Sequence, residues 1–131
     1  MSNFGDVPAA ILKVIDNAIT LGGSRDGFIS YAKIPPGEFP YAMIYDPVKE
    51  IDRGEFQHGV ETTANPVLVV WFDETIDNVN KAVGLIEAEI ASDPTLDGVV
   101  EDAWVAVVGR DEGLDSKHTA AVFQINTLGT V

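Results

Sequence analysis

The residues whose types could do chemistry are few. His58 and His118 are the two imidazoles, and "DETID" (73–77) and "DEGLD" (111–115) concentrate carboxylates. A mononuclear metal centre takes three or four ligands. Two distant histidines without an H-x-x-E spacing do not supply one, and exposed loop positions account for both. An EF-hand loop needs a longer ordered series of oxygen ligands ending in Glu, with Gly at its sixth position. Neither acidic stretch has that order. "DETID" places negative charge where a helix N-terminus favours it. No aromatic sugar-binding pattern accompanies either carboxylate group, which argues against glycoside hydrolysis. "LGGSRDG" (21–27) is glycine-rich but lacks the G-K-[ST] ending of a phosphate loop. It also follows a helical pattern instead of preceding one. A helix end and a turn explain it. There is no G-x-S-x-G nucleophile motif. Trp71 and Trp104 lie in strand-like runs, where packing in a core or a subunit interface explains them better than a ligand cage. The sequence therefore predicts no catalytic residue, no metal site and no cofactor.

What the totals allow is consistent with that. The chain has 131 residues, with 46% hydrophobic and 22% charged. That suits one globular domain, expected over 1–131 with a loose leader at 1–7. Asp and Glu number 21 against 8 Lys and Arg, for a formal net charge of -13. The basic residues are scattered, so no patch is present for nucleic-acid phosphates. The acidity suits solubility, resistance to self-association, or a basic partner. With no cysteine, neither disulfides nor thiolate metal sites can form, which fits a reducing cytoplasm. The N-terminus shows no signal-peptide pattern. The apolar run "VLVVWF" (67–72) is far too short to span a bilayer as a helix.

The elements follow from periodicity. Asp6 and Pro8 suit the start of a helix, and Ile11, Val14, Ile15, Ala18 and Ile19 share one helical face. A helix is predicted over 8–21, ended by Gly22 and Gly23. "YAMIY" (41–45) reads as a short strand between proline-rich and polar stretches. "DPVKEIDRGEFQHG" (46–59) reads as a long loop or a loose hairpin, a loop of that length being usually tied to function or disorder. "VLVVWF" is the strongest strand. Val67, Val69 and Trp71 face one way and Leu68, Val70 and Phe72 the other, so both sides need covering by core or by a partner subunit. Ile76, Val79, Val83, Ile86 and Ile90 form the stripe of a second helix, predicted over 74–91. "SDPTLDG" (92–98) then stops and turns the chain, with Leu96 folding back as an anchor and Asp97-Gly98 making a tight turn. Strands over 99–109 and 119–129 close the chain, joined by a polar turn; Ala121, Phe123 and Ile125 share a face in the last. The order α-β-β-α-β-β predicts an α+β fold: a four-stranded, mainly antiparallel sheet with both helices on one face.

These segments, in this order, resemble the tail terminator and minor tail (tail completion) proteins of long-tailed bacteriophages. The first amphipathic helix ends in Gly. A Pro-rich segment leads into "FPYAMIYDP", a polar loop precedes "NPVLVVWFDE", and the helix, turn and strand of "VNKAVGLIEAEIASDPTLDGVVEDAWV" are the most specific part. "TAAVFQINTLG" is similar to the family's closing strand. The resemblance spans nearly the whole chain, which is more acidic than that family. It implies a structural virion protein and not an enzyme. Such a terminator forms a homo-hexameric ring on the tail tube, stops tube polymerisation and presents a head–tail joining surface. Its implied partners are further copies of itself, the tail tube protein and a head-completion or neck protein. DNA would pass through the ring without specific binding, and no membrane is involved. The implied location is the virion tail, with assembly in the host cytoplasm.

A ring contact using two different patches per subunit is expected from the long loop: Lys49, Glu50, Asp52, Arg53, Glu55 and Phe56. Removing residues 49–55 is expected to leave a folded monomer that cannot assemble. The acidic turn, Arg110, Asp111, Glu112 and Asp115, is expected to face the lumen or the neck. Reversing its three acids to Lys is expected to impair DNA ejection. Rival readings are a neck connector or a tail-tube protein of the same particle, a small acidic ligand-binding domain or enzyme, and an acidic mimic of nucleic acid.

Overall fold

The computed structural model describes residues 7–26, 38–45, 49–52, 61–74, 76–112 and 118–130. Two helices, α1 (Val7–Ala18) and α2 (Ile76–Ser92), lie against one mixed sheet. Its strands are β1 (Gly23–Asp26), β2 (Tyr41–Tyr45), β3 (Lys49–Asp52), β4 (Glu61–Ala64), β5 (Val67–Phe72), β6 (Asp102–Glu112) and β7 (Thr119–Thr130).

β7 organises the sheet. Along one edge it pairs with β6, from Asp102 opposite Leu128 to Glu112 opposite Thr119. Along the other it pairs with β4 and then β5, all antiparallel. β4 and β5 keep one register across their junction, since Ala64 faces Thr127 and Val67 faces Gln124. Pro66 lacks the N–H a ladder needs, but its carbonyl accepts from the N–H of Ile125 at 3.0 Å. β4 and β5 are thus one long strand interrupted in its labelling by a proline. Their far edge carries β3 and β2 in turn, and β1 joins β2 in parallel at the margin.

Alternation along these strands sorts the side chains into two layers. Leu68, Val70, Phe72, Ala42, Ile44, Ala121, Phe123 and Ile125 point toward the helices and pack with Val7, Ile11, Val14 and Ile15 of α1 and Val79, Val83, Ile86 and Ile90 of α2. Met43, Val69, Trp71 and Ala120 make a second buried cluster on the opposite face. The two-sided burial expected of β5 is therefore present, and the last strand's apolar face lies as expected.

The α+β class and the helices on one face agree with the sequence. The strand count and order do not. Among the described residues the sheet has seven strands, not four. β1 falls where a turn was expected. "GSRD" has no apolar alternation, but its backbone is needed at the sheet margin, and a Cβ on Gly23 would stand 2.8 Å from the Tyr41 ring. β3 falls inside the stretch expected to be a long loop or a loose hairpin; its polar residues form a strand because β4 offers it an antiparallel ladder. α1 starts at the fully buried Val7, inside the expected leader, and ends at Ala18, short of residue 21. Its end is closed by the Asp16 carboxylate, which accepts from the N–H of Leu21 at 2.9 Å. Gly22 is required for another reason than a helix cap: a Cβ there would lie 2.6 Å from the Glu38 carbonyl oxygen. β6 begins later than residue 99, because the turn after α2 continues through Val99, and it runs on to Glu112.

Candidate functional site

The turn after α2 shows how this fold positions its surfaces. Asp93 accepts from the N–H of Asp97 at 3.2 Å on both carboxylate oxygens, and the Thr95 hydroxyl donates to it at 3.4 Å. The Leu96 and Asp97 backbones take φ of 50° and 58°, followed by Gly98 at 85°. L-residues rarely adopt the left-handed region. It is held here because Leu96 is fully buried in the main core. The predicted anchor is thus present. Between this turn and α1 lies an open cleft of about 380 Å³, lined by Ala9, Lys13, Asn17, Asp93 and Asp97 among others. Lys13 and Asp97 pair across its rim at 3.5 Å, both largely exposed. An exposed ion pair beside small side chains gives neither a nucleophile nor a general base next to a substrate pocket.

The residues that stand out instead form surfaces. On the sheet face away from the helices, register aligns Tyr45, Val67, Gln124 and Val107 in one row across four strands. Trp104 stands in the next row, opposite Asn126. Trp104 and Val107 are 45% and 57% exposed. That is high for large apolar side chains beside a buried cluster. A bulge between Val105 and Val107 re-aims this part of β6. It keeps Val105 and Val108 against the main core while Trp104 and Val107 both face out. Beside Trp104, the buried Asn126 Oδ1 finds no donor among the described residues.

A second surface lies on the other side of the molecule. α2 buries Val79, Val83, Ile86 and Ile90. Its opposite stripe, at i, i+3 and i+4 spacing, is Lys81, Gly84, Leu85, Ala88 and Ser92, all exposed. Leu85 is 46% exposed, and a Cβ on Gly84 would meet nothing within 4 Å.

The two groups of site residues expected from sequence, one for a subunit or tube interface and one for the lumen or neck, lie apart in their described members. Lys49, Glu50 and Asp52 belong to β3, where they pair with Ala64, Thr63 and Glu61. Arg110, Asp111 and Glu112 end β6, opposite Ala121, Ala120 and Thr119. β4 reaches β7 at its other end, so the two groups sit at opposite ends of β7, roughly 35 Å apart at strand spacing. Arg53, Glu55, Phe56 and Asp115 lie outside the described residues. His58 does too, and His118 packs its ring against Phe39 with centroids 4.9 Å apart. Among the described residues no group of three or more His, Cys, Asp or Glu could hold a metal ion. None of their helices is long and apolar enough to cross a membrane.

No family model matches the chain, and a search of the curated proteins finds no match. Solved structures do match. One is a chain of "Virion of native gene transfer agent (GTA) particle", with a TM-score of 0.51 and 9% sequence identity. The likeness covers 98% of this chain and 97% of that one. This chain shares that fold from end to end. At such low identity the likeness is one of fold.

Proposed function

We propose that this chain is a structural protein of a tailed, phage-like virion, and not an enzyme. The observation that carries the reading is the end-to-end fold likeness to a chain of a gene transfer agent virion. The family resemblance of the sequence supports the same reading, as does a surface whose notable features are apolar patches instead of a polar pocket.

Within such a particle, the role we favour is tail terminator. Copies of the chain form a hexameric ring on the tail tube, end its polymerisation and offer the head-completion or neck protein a joining surface. DNA slides through a ring whose charge, at -13 per copy, repels phosphate. The acidic end of β6, with Asp115, is the proposed lumen or neck side, and the β3 hairpin a proposed contact with the tube or a neighbour. The chain is then found in the virion tail and assembles in the host cytoplasm. The fold likeness serves a neck connector or tail-tube protein of the same particle equally well.

The deciding measurement is solution mass by light scattering over a concentration series, with and without tail tubes. A single ring on tube ends is expected. Long filaments from the protein alone would make it a tube protein. A monomer that ignores tubes at every concentration would sink the tail assignment.

A further inference from the structure

Two surfaces on opposite sides of the molecule each expose apolar side chains at their centres, Leu85 on one and Trp104 and Val107 on the other. We infer that the outward stripe of α2 in one copy seats on the open sheet face of β6 and β7 in the next, making a head-to-tail contact. The inference rests on the proposed ring and names the contact that builds it.

Charge selects the occupant. The chain carries 21 acidic residues in 131, yet neither patch holds one at its centre. The stripe offers Gly84, Leu85 and Ala88; the sheet offers Trp104, Val107 and Gln124. Glu87 and Glu89 flank the helix stripe, but at its first turn the signs are opposite. Lys81 is exposed at one end of the stripe, and the exposed Asp102 stands beside Trp104 on β6. A second copy brings both halves of this match.

Shape points the same way. Glycine inside a helix costs stability relative to alanine. Nothing within the chain needs the space at Gly84, since a Cβ there meets no atom within 4 Å. Gly84 and Ala88 leave a shallow surface beside Leu85, fit for close approach by the protruding indole of Trp104. Because the two patches differ, the contact is heterologous, and repetition closes a ring or builds a filament.

Leu85→Glu and Trp104→Glu test this separately. Both positions are exposed, so circular dichroism and melting should show folded proteins. Self-association is measured by light scattering, free and on tail tubes. Each variant alone should associate roughly thirty-fold more weakly than the parent chain, or worse. Mixed, they should form one-to-one dimers and nothing larger, because Leu85→Glu keeps its sheet face and Trp104→Glu keeps its helix stripe. Assembly of either variant at parental strength overturns the contact and leaves the ring reading standing. Folded variants that stay monomeric when mixed, or that dimerise alone, overturn it as well. A parent chain that never associates with itself, free or on tubes, overturns both the contact and the ring.

Discussion

Leu96 carries a conflict between its backbone and its side chain. Its φ of 50° costs energy in any residue with a Cβ, and full burial of the side chain offsets that cost. Leu96→Ala keeps the backbone strain and loses the anchor. It should destabilise the fold by about 2–5 kcal/mol, read as a lower urea midpoint at unchanged slope. That this leucine is an anchor was legible in "SDPTLDG", because an isolated apolar residue between turn formers has few other uses. Its left-handed backbone was not legible, since leucine gives no signal for it. Gly22 is the reverse case. The sequence suggested a helix cap, but the residue is needed for close backbone approach to Glu38, from which a Cβ would stand 2.6 Å. Gly22→Ala should cost about 1–3 kcal/mol through that clash. A melting temperature equal to the parent's would show that the Glu38 segment shifts freely.

At the scale of elements, legibility followed side-chain patterning. β2 and β5 were read to the residue, and α2 to within two residues at its start, because each has a periodic apolar set. β1 was missed, and β3 was read only as part of a long loop or loose hairpin, because "GSRD" and "KEID" form strands only by pairing with β2 and β4. A ladder between distant segments leaves no local trace. The same holds for the surfaces. Trp104 was legible as a packing residue for a core or an interface, but a bulge decides that it faces outward, and bulges are not written in alternation. The solvent face of α2 was legible only as the polar side of the helix, where Lys81 lies, because Gly84, Leu85 and Ala88 carry no periodic apolar signal of their own. Gly84→Ala separates helix stability from assembly. The free monomer should gain about 0.5–1 kcal/mol, since the helix interior prefers alanine and the space is open. Ring formation should gain nothing or weaken. A variant both more stable and better at assembling would remove the reason offered for that glycine.

For the whole molecule, charge is the term that self-assembly must overcome. Each copy carries -13, and in the proposed ring six copies would carry six times that charge. Like charges spread over neighbouring subunits repel across solvent. Salt reduces that repulsion, because the screening length falls from about 30 Å at 0.01 M to about 3 Å at 1 M ionic strength. An apolar contact between copies loses nothing to screening, and the one Lys81–Asp102 pairing at its edge is a small exposed term. Self-association should therefore strengthen as sodium chloride rises from roughly 0.05 to 0.5 M. A nucleic-acid mimic that uses its acidity to hold a basic partner behaves the other way, since its binding weakens over the same range. Light scattering across a salt series thus separates an acidic surface that apolar contacts must overcome from one that is itself the means of binding. Rings that dissolve as salt is added would place ion pairs, not Trp104 and Leu85, at the centre of the contact.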